Sequence, residues 1–295
     1  MGTADLARLT GLAAIWSLSF VFMRIVAPAL GPVWTAALRV LIPRGVLIAW
    51  LACTRHDAKL RQHWRAYLAI GAANSAVPFA LFAYAALTLP ASYLAILNAT
   101  VPLYAVVLAA IWLDEPLTFA KLAGIASGIA GVGIVTGVGG VEMDANAWLA
   151  AGAVLVATFC YALVGVGIKL HGQGLPPYGI AAWSQLFAGL VLIPPGAIVQ
   201  PPGPITFVVI ANLAGLAILC SGVAYLLYYR LIRDIGPTRT ATLTFLLPAF
   251  GIVWGWLLLG ESVTLTMLAG TALIVGGTAA VLRPGVAATG AATTR

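Results

Sequence analysis

The sequence predicts an all-α integral membrane protein. It is read as ten transmembrane helices in two inverted five-helix repeats, with both termini in the cytoplasm. Three observations predict this: an apolar composition, charge confined between long uncharged runs, and similarity of the chain to itself at a fixed offset. Of 295 residues, 62% are apolar and 8% are charged, with 15 Lys and Arg against 8 Asp and Glu. Soluble domains are about 45–50% apolar and about 25% charged. So few charges cannot cover a water-soluble fold of this length. That excludes a soluble enzyme, a disordered chain and a nucleic-acid partner. The net charge of +7 does not restore the last of these, because the basic residues lie between apolar runs and form no single patch. Cys53, Cys160 and Cys220 are odd in number, far apart and each inside an apolar run, so neither a disulfide framework nor a metal site is expected. No cofactor is expected.

A crossing needs about 20 residues. The first fifty residues hold two, 9–30 and 33–52, split near Leu30-Gly31-Pro32. Residues 66–113 contain no Asp, Glu, Lys or Arg and hold 67–88 and 91–113, divided at Leu89-Pro90-Ala91. Uncharged runs 122–141 and 145–168 carry the spans 118–139 and 147–168. The uncharged run 170–229 holds 178–199 and 207–229, divided at Gln200-Pro201-Pro202-Gly203-Pro204. The last two spans are 239–259 and 262–282. Short loops make up the rest, and no extramembrane domain is expected. The first apolar segment runs into a second span behind a short polar stretch containing Asp5, unlike a removable signal.

Loop charge sets the orientation. Arg55, Lys59, Arg61 and Arg65 lie between spans 2 and 3, Lys121 between 4 and 5, Lys169 between 6 and 7, and Arg230, Arg233 and Arg239 between 8 and 9. Loops of the other parity carry no Lys or Arg. Positive residues stay inside, so both termini are expected in the cytoplasm.

Residues 95–131 match residues 146 further on at 12 of 37 positions, including Pro102 with Pro248, Glu115 with Glu261, Gly124 with Gly270 and Gly131 with Gly277. One step out of register, Trp16…Arg24 matches Tyr161…Lys169. The repeats are residues 5–141 and 145–284, with a cytoplasmic tail at 285–295. Five spans per repeat turn the second upside down, and the charges agree: a basic loop in one half matches an uncharged loop in the other. Inverted repeats are a transporter architecture with the site between the halves.

These features resemble the EamA-type transporters of the drug/metabolite superfamily, over residues 5–283. The resemblance rests on Trp16-Ser17-x-x-Phe20-x-x-x-Arg24, Arg39, Ala95-x-Leu97…Pro102, Leu113-Asp114-Glu115-Pro116-Leu117-Thr118 and, in the second half, Tyr161…Lys169, Trp183-x-Gln185, Pro248…Leu259-Gly260-Glu261 and Gly270…Gly277. The whole is most similar to bacterial amino-acid and metabolite exporters of the YddG kind. It departs from the usual pattern with Ser17 where Gly is common and Arg24 where Lys is common. The resemblance implies a basket of ten helices, with spans 1, 3, 4, 6, 8 and 9 around a cavity and 5 and 10 at the periphery.

The candidate site residues are polar or aromatic positions in central spans. Asn98 and Thr244 each lie four residues before a proline, Pro102 and Pro248. Proline leaves that carbonyl without its helical donor. Each pair either binds substrate or forms a self-satisfied kink. Asn74, Ser75 and Pro78 form a similar break. Ser221, Tyr225 and Tyr228 share one helix face. With Trp16, Phe20, Tyr84, Tyr161 and Trp254, these residues either line an amphipathic cavity suited to an organic zwitterion or pack as core. Trp34, Trp64, Trp112, Trp148, Tyr93 and Tyr178 sit near span ends, as interfacial aromatics do.

Arg24 and Lys169 are symmetry mates that either snorkel or gate. Arg39 and Arg44 point about 140° apart, and Arg44 reads as an inter-helix anchor. Glu115 and Glu261 each precede a helix start and read as caps. No acid lies near mid-membrane, and His56, His63 and His171 lie in loops, which argues for facilitated export down a substrate gradient, or for coupling through another group. Gly124, Gly128, Gly131, Gly270, Gly276 and Gly277 permit close helix contact, within a monomer or in a homodimer. The expected partners are a small-molecule substrate and the lipid bilayer. The expected function is export of apolar or aromatic amino acids by alternating access. The rivals are an organic-phosphate or nucleotide-sugar exchanger, for which Arg39, Lys169 and Arg230 are candidates, and a non-transporting lipid-binding or receptor protein. An intramembrane enzyme is not expected, because no HExxH, GxSxG or paired acids are present.

Overall fold

The computed structural model describes residues 2–53, 59–138, 142–172 and 174–282, excepting the side chains of 44–53, 138, 177, 178, 229, 237 and 238. The expectations for the Arg44, Cys53 and Tyr178 side chains, for Arg55 and His56, and for the 285–295 tail lie outside the described residues.

Among the described residues, nine helical columns follow one another and there is no strand. They are α1 (Thr3–Cys53), α2 (Leu60–Ala85), α3 (Ala91–Trp112), α4 (Phe119–Val138), α5 (Ala145–His171), α6 (Pro177–Ile198), α7 (Phe207–Ile235), α8 (Ala241–Leu259) and α9 (Leu265–Val281). The first eight are long and apolar enough to cross a membrane; α9 is apolar and 17 residues long. At 1.5 Å per residue, α1 drawn straight would be about 77 Å long, more than two hydrocarbon thicknesses. It is bent into two arms at Gly31, where φ is 75° and ψ is 163°. Only glycine takes that conformation without steric cost.

Two columns outrun their apolar sequence. α2 starts at Leu60, before the expected 67, and α7 continues through Arg230 to Ile235. Charge marks where lipid ends, not where a helix must. Backbone hydrogen bonding continues into the head-group region while Arg side chains turn to water.

The columns are irregular at repeat-related places. α2 widens to a π-helix at Ala72–Ala76, and α7 does so at Gly215–Val223. α3 is interrupted at Ala99 and Thr100, just past Asn98, and α8 opens as a 3-10 helix over Ala241–Phe245. Shifted by 146, residues 72–76 fall inside the second π segment and Asn98 falls on Thr244.

α4 and α9 pack through their glycines. A Cβ on Gly124 would stand 2.6 Å from the Gly277 carbonyl oxygen, and one on Gly131 would stand 2.6 Å from that of Gly270. The contact is reciprocal and antiparallel: 124 meets 277 and 131 meets 270. Ser127 donates to the Leu273 carbonyl at 2.9 Å, a pair separated by the repeat offset itself. These glycines therefore serve packing within one chain. Gly128 closes on the Leu103 side chain, while Gly133 and Gly276 face open space.

That difference gives a paired prediction. Gly124→Ala or Gly131→Ala should destabilise the purified protein by about 1–3 kcal/mol, the usual cost of overpacking. Gly133→Ala and Gly276→Ala should leave the thermal unfolding midpoint unchanged. Equal midpoints for all four variants would show that the α4–α9 contact is loose.

Candidate functional site

Six columns meet around a central cavity of about 310 Å³. α1 supplies Trp16, Ser19, Phe20, Met23 and Arg39; α2 supplies Asn74, Phe79 and Phe82; α3 supplies Asn98 and Val101. α5 supplies Tyr161, α7 supplies Tyr225 and Tyr228, and α8 supplies Leu243, Thr244 and Leu247. This is near the lower end of small-molecule sites, which run roughly 300–1,000 Å³. The walls are rich in aromatic rings. The Trp16 ring lies 5.1 Å from that of Tyr228 and 6.1 Å from that of Tyr225. The Phe82 ring lies 5.4 Å from Phe20 and stacks 6.1 Å from Tyr161.

Asn74, Asn98 and Thr244 line this cavity, and each stands four residues before a proline. Pro78, Pro102 and Pro248 are buried behind them and offer no N–H to the carbonyls of these residues. Thr244 donates to the Ala241 carbonyl at 2.8 Å. The amides of Asn74 and Asn98 have no side-chain hydrogen-bond partner among the described residues and remain free to meet a solute.

The remaining candidates divide. Ser221 is buried behind the cavity wall and accepts from Arg39 Nε at 3.1 Å. Tyr225 accepts at 3.1 Å from the Gln185 amide, which also donates to Ser75 at 3.1 Å. Tyr84 lies outside the cavity and is 38% exposed. Residues two apart on a helix point about 200° apart, so turning Phe82 inward turns Tyr84 outward. Trp254 also lies outside: its indole donates to the Ala14 carbonyl at 3.0 Å and its ring stacks on Phe250. Of the end-of-span aromatics, Trp64, Trp112 and Trp148 are exposed, but Tyr93 is 2% exposed within the core.

Sequence reasoning missed Ser19, Met23, Phe79, Phe82, Val101, Leu243 and Leu247 as cavity residues. Most are apolar and look like any lipid-facing or core position. It named Arg39 as part of the family pattern and as a candidate phosphate-binding cation, but not among the cavity residues. Its guanidinium lines the cavity, 3.8 Å over the Phe79 ring, and the residue is only 6% exposed. The other two cations named with it lie elsewhere. Lys169 is 63% exposed and pairs with Glu115 at 2.8 Å; Arg230 is 56% exposed and pairs with Asp234 at 3.7 Å. Among the described residues, no Asp or Glu lines the cavity.

The repeat-matched carboxylates are held differently. Glu261 accepts from the Ala91 backbone N–H at 2.6 Å, the Ser92 N–H at 3.0 Å and the Ser92 hydroxyl at 2.6 Å. It is a cap, but for the start of α3 in the other half of the chain. α9, the helix it precedes, is capped by Thr264. Nearby, Arg24 donates to the carbonyls of Ala86 at 2.6 Å and Leu87 at 2.8 Å, closing the end of α2. The loop between α2 and α3 is thus fixed from both sides, and Ala85, Ala86, Leu89 and Ala91 are buried beneath it.

Glu115 instead meets Lys169 and, at 3.4 Å, Lys121, and is 36% exposed. The hydrogen bond from Lys169 holds its carboxyl below the usual carboxylate range. The stabilisation is therefore complete above that range and fades as pH falls through the lowered value.

Glu261→Gln should accordingly lower stability by at least about 1.5 kcal/mol, because hydrogen bonds to a charged acceptor are lost at a buried helix start. Glu115→Gln should cost under about 1 kcal/mol, as for other exposed ion pairs. Detergent-solution unfolding midpoints of the two variants check this, and a larger loss for Glu115→Gln would reverse the assignment.

Comparison with known proteins places this geometry. The sequence matches the EamA-like transporter family over residues 8–137 and again over 148–283. A probable terminal-alkyne amino-acid exporter of Streptantibioticus cattleyicolor is 29% identical over 191 residues, covering 64% of this chain and 63% of that protein. An S-adenosylmethionine/S-adenosylhomocysteine transporter of Chlamydia trachomatis is 24% identical, covering 85% of this chain and 80% of that one. A solved crystal structure shares the fold with a TM-score of 0.66 at 21% identity, over 93% of this chain and 95% of the other. The chain belongs to the EamA-like transporter family and is a multi-pass membrane transporter.

Proposed function

We propose that this protein exports apolar or aromatic amino acids across the bacterial inner membrane by alternating access between two inverted five-helix repeats. The observation that carries the reading is the cavity. Two unpartnered amides and several aromatic rings meet where helices from both halves of the chain are irregular. An aromatic wall offers apolar area to a side chain, while the amides and tyrosine hydroxyls offer hydrogen bonds to the polar end of a zwitterion.

Several features support the architecture. Eight described helices are long and apolar enough to cross a membrane; the bend that divides α1 into two arms and the apolar α9 support a reading of ten crossings. The reciprocal, antiparallel α4–α9 contact is what a two-fold axis in the membrane plane would produce. Arg61, Arg65, Lys121, Lys169, Arg230 and Arg233 cluster at helix ends that alternate with ends carrying no basic residue except Arg24, which supports a cytoplasmic basic face and cytoplasmic termini. The named substrates of the two relatives support the class of solute. One is an amino acid, and the other pair are built on methionine and homocysteine.

The absence of a cavity carboxylate among the described residues favours movement down the substrate gradient over proton exchange. An organic-phosphate exchanger has less support, because a phosphate wants convergent cations and only Arg39 is present.

The test is uptake of labelled Phe, Trp, Met, Leu and Thr into proteoliposomes holding only this protein, with and without a pH gradient. Saturable uptake without the gradient is expected. Asn98→Ala and Tyr225→Ala should each reduce kcat/KM about tenfold, a loss of about 1.4 kcal/mol, with normal yields of folded protein. Normal transport by both variants would remove the cavity assignment, and exchange of an organic phosphate with no amino-acid uptake would remove the substrate class.

A further inference from the structure

Arg39 is the feature that the reading above leaves unused. It sits in the second arm of α1, 6% exposed, with its guanidinium 3.8 Å over the Phe79 ring. A guanidinium carries five N–H donors and keeps its charge at any physiological pH. Here one donor meets Ser221 Oγ at 3.1 Å and one meets Met23 Sδ at 3.6 Å, a weak acceptor. The other three have no acceptor among the described residues, and no carboxylate there neutralises the charge. The described acids lie at helix ends and in loops, and Glu261 is already committed to α3.

A buried charge lacking its counter-ion is costly, and a protein keeps one only where something supplies the opposite charge. The arrangement is also oriented. The guanidinium carbon lies over Phe79, Ser221 takes the Nε donor and Met23 takes one Nη1 donor, so the three donors left over are on the terminal edge of a residue that lines the cavity. That edge is the planar fork that binds a carboxylate through two parallel hydrogen bonds.

We propose that Arg39 is the specificity-determining residue of the cavity, that it binds the carboxylate of the transported solute, and that Ser221 is its positioning residue. This rests on the transport reading and narrows it: the carboxylate is the required group, and an amine without one is a poor substrate. A single cation suits one carboxylate better than a doubly charged phosphate ester, which fits the lone charge in the cavity.

The experiment uses full-length protein in proteoliposomes loaded with unlabelled phenylalanine, and measures counterflow of labelled phenylalanine against three competitors. These are 3-phenylpropanoate, which lacks the amine, phenethylamine, which lacks the carboxylate, and phenyl phosphate. 3-Phenylpropanoate should compete at concentrations at least tenfold lower than phenethylamine or phenyl phosphate require. Arg39→Gln should raise KM for phenylalanine at least tenfold and erase the preference for the acid over the amine. Arg39→Lys should restore part of that preference, and Ser221→Ala should weaken it about two- to fivefold. Equal competition by acid and amine in the wild type, or an unchanged preference in Arg39→Gln, overturns the proposal, as does stronger competition by phenyl phosphate. If Arg39→Gln does not fold, the wild-type competitor series and Ser221→Ala decide the matter alone.

The same three compounds are then added to the purified protein while its thermal unfolding is followed. If phenylalanine does not move but 3-phenylpropanoate alone stabilises the protein, the amino-acid reading fails and the role of Arg39 stands. If none of the three stabilises it, the role of Arg39 fails too.

Discussion

Lipid offers no hydrogen bonds, so every peptide group at membrane depth must find a partner within the protein or a watery cavity. The placement of everything else in this structure follows from that constraint. The α2, α3, α7 and α8 columns each depart from regular helix, and all four departures lie next to the same cavity. Proline makes three of the departures chemically useful. It leaves a carbonyl without its helical donor beside Asn74, Asn98 or Thr244, where a solute can use it. Broken helices are tolerated where they line a cavity and not lipid.

The halves of the chain hold each other at contacts of two kinds. Glycines let α4 and α9 approach until backbone meets backbone, away from the cavity. Glu261 from the second half caps α3 in the first, and Arg24 closes the end of α2 next to it. The symmetry mates of these two charged residues, Glu115 and Lys169, pair with one another instead, on a more exposed face. Two faces built from matching residues are thus held by different bonds. A carrier has this character in any one of its states, since it closes one side at a time.

Much of this was legible in the sequence. The run of uncharged segments located the helices, because few residues other than apolar ones are tolerated in lipid. The polar residue four before a proline, occurring three times, pointed to three residues that share one cavity. The helix starts at Leu60 and ends at Ile235 were not legible, because they lie in the head-group region where hydropathy carries no signal. Cavity walls such as Phe79, Phe82 and Leu247 were hidden because a uniformly apolar helix does not show which face turns inward. Tyr84 was misplaced for the same reason. Arg39 was read by its spacing from Arg44, whereas its place comes from Phe79 and Ser221, which are distant in sequence.

The central claim is that this one cavity is the path of the solute and opens to each side of the membrane in turn. Val101 lines the cavity without a polar role, so Val101→Cys, in a chain whose Cys53, Cys160 and Cys220 are replaced, reports on it directly. A membrane-impermeant thiol reagent should label this cysteine when supplied from either side, and phenylalanine should slow both reactions. Labelling from one side only under all conditions, or labelling that phenylalanine leaves unchanged, would contradict the account.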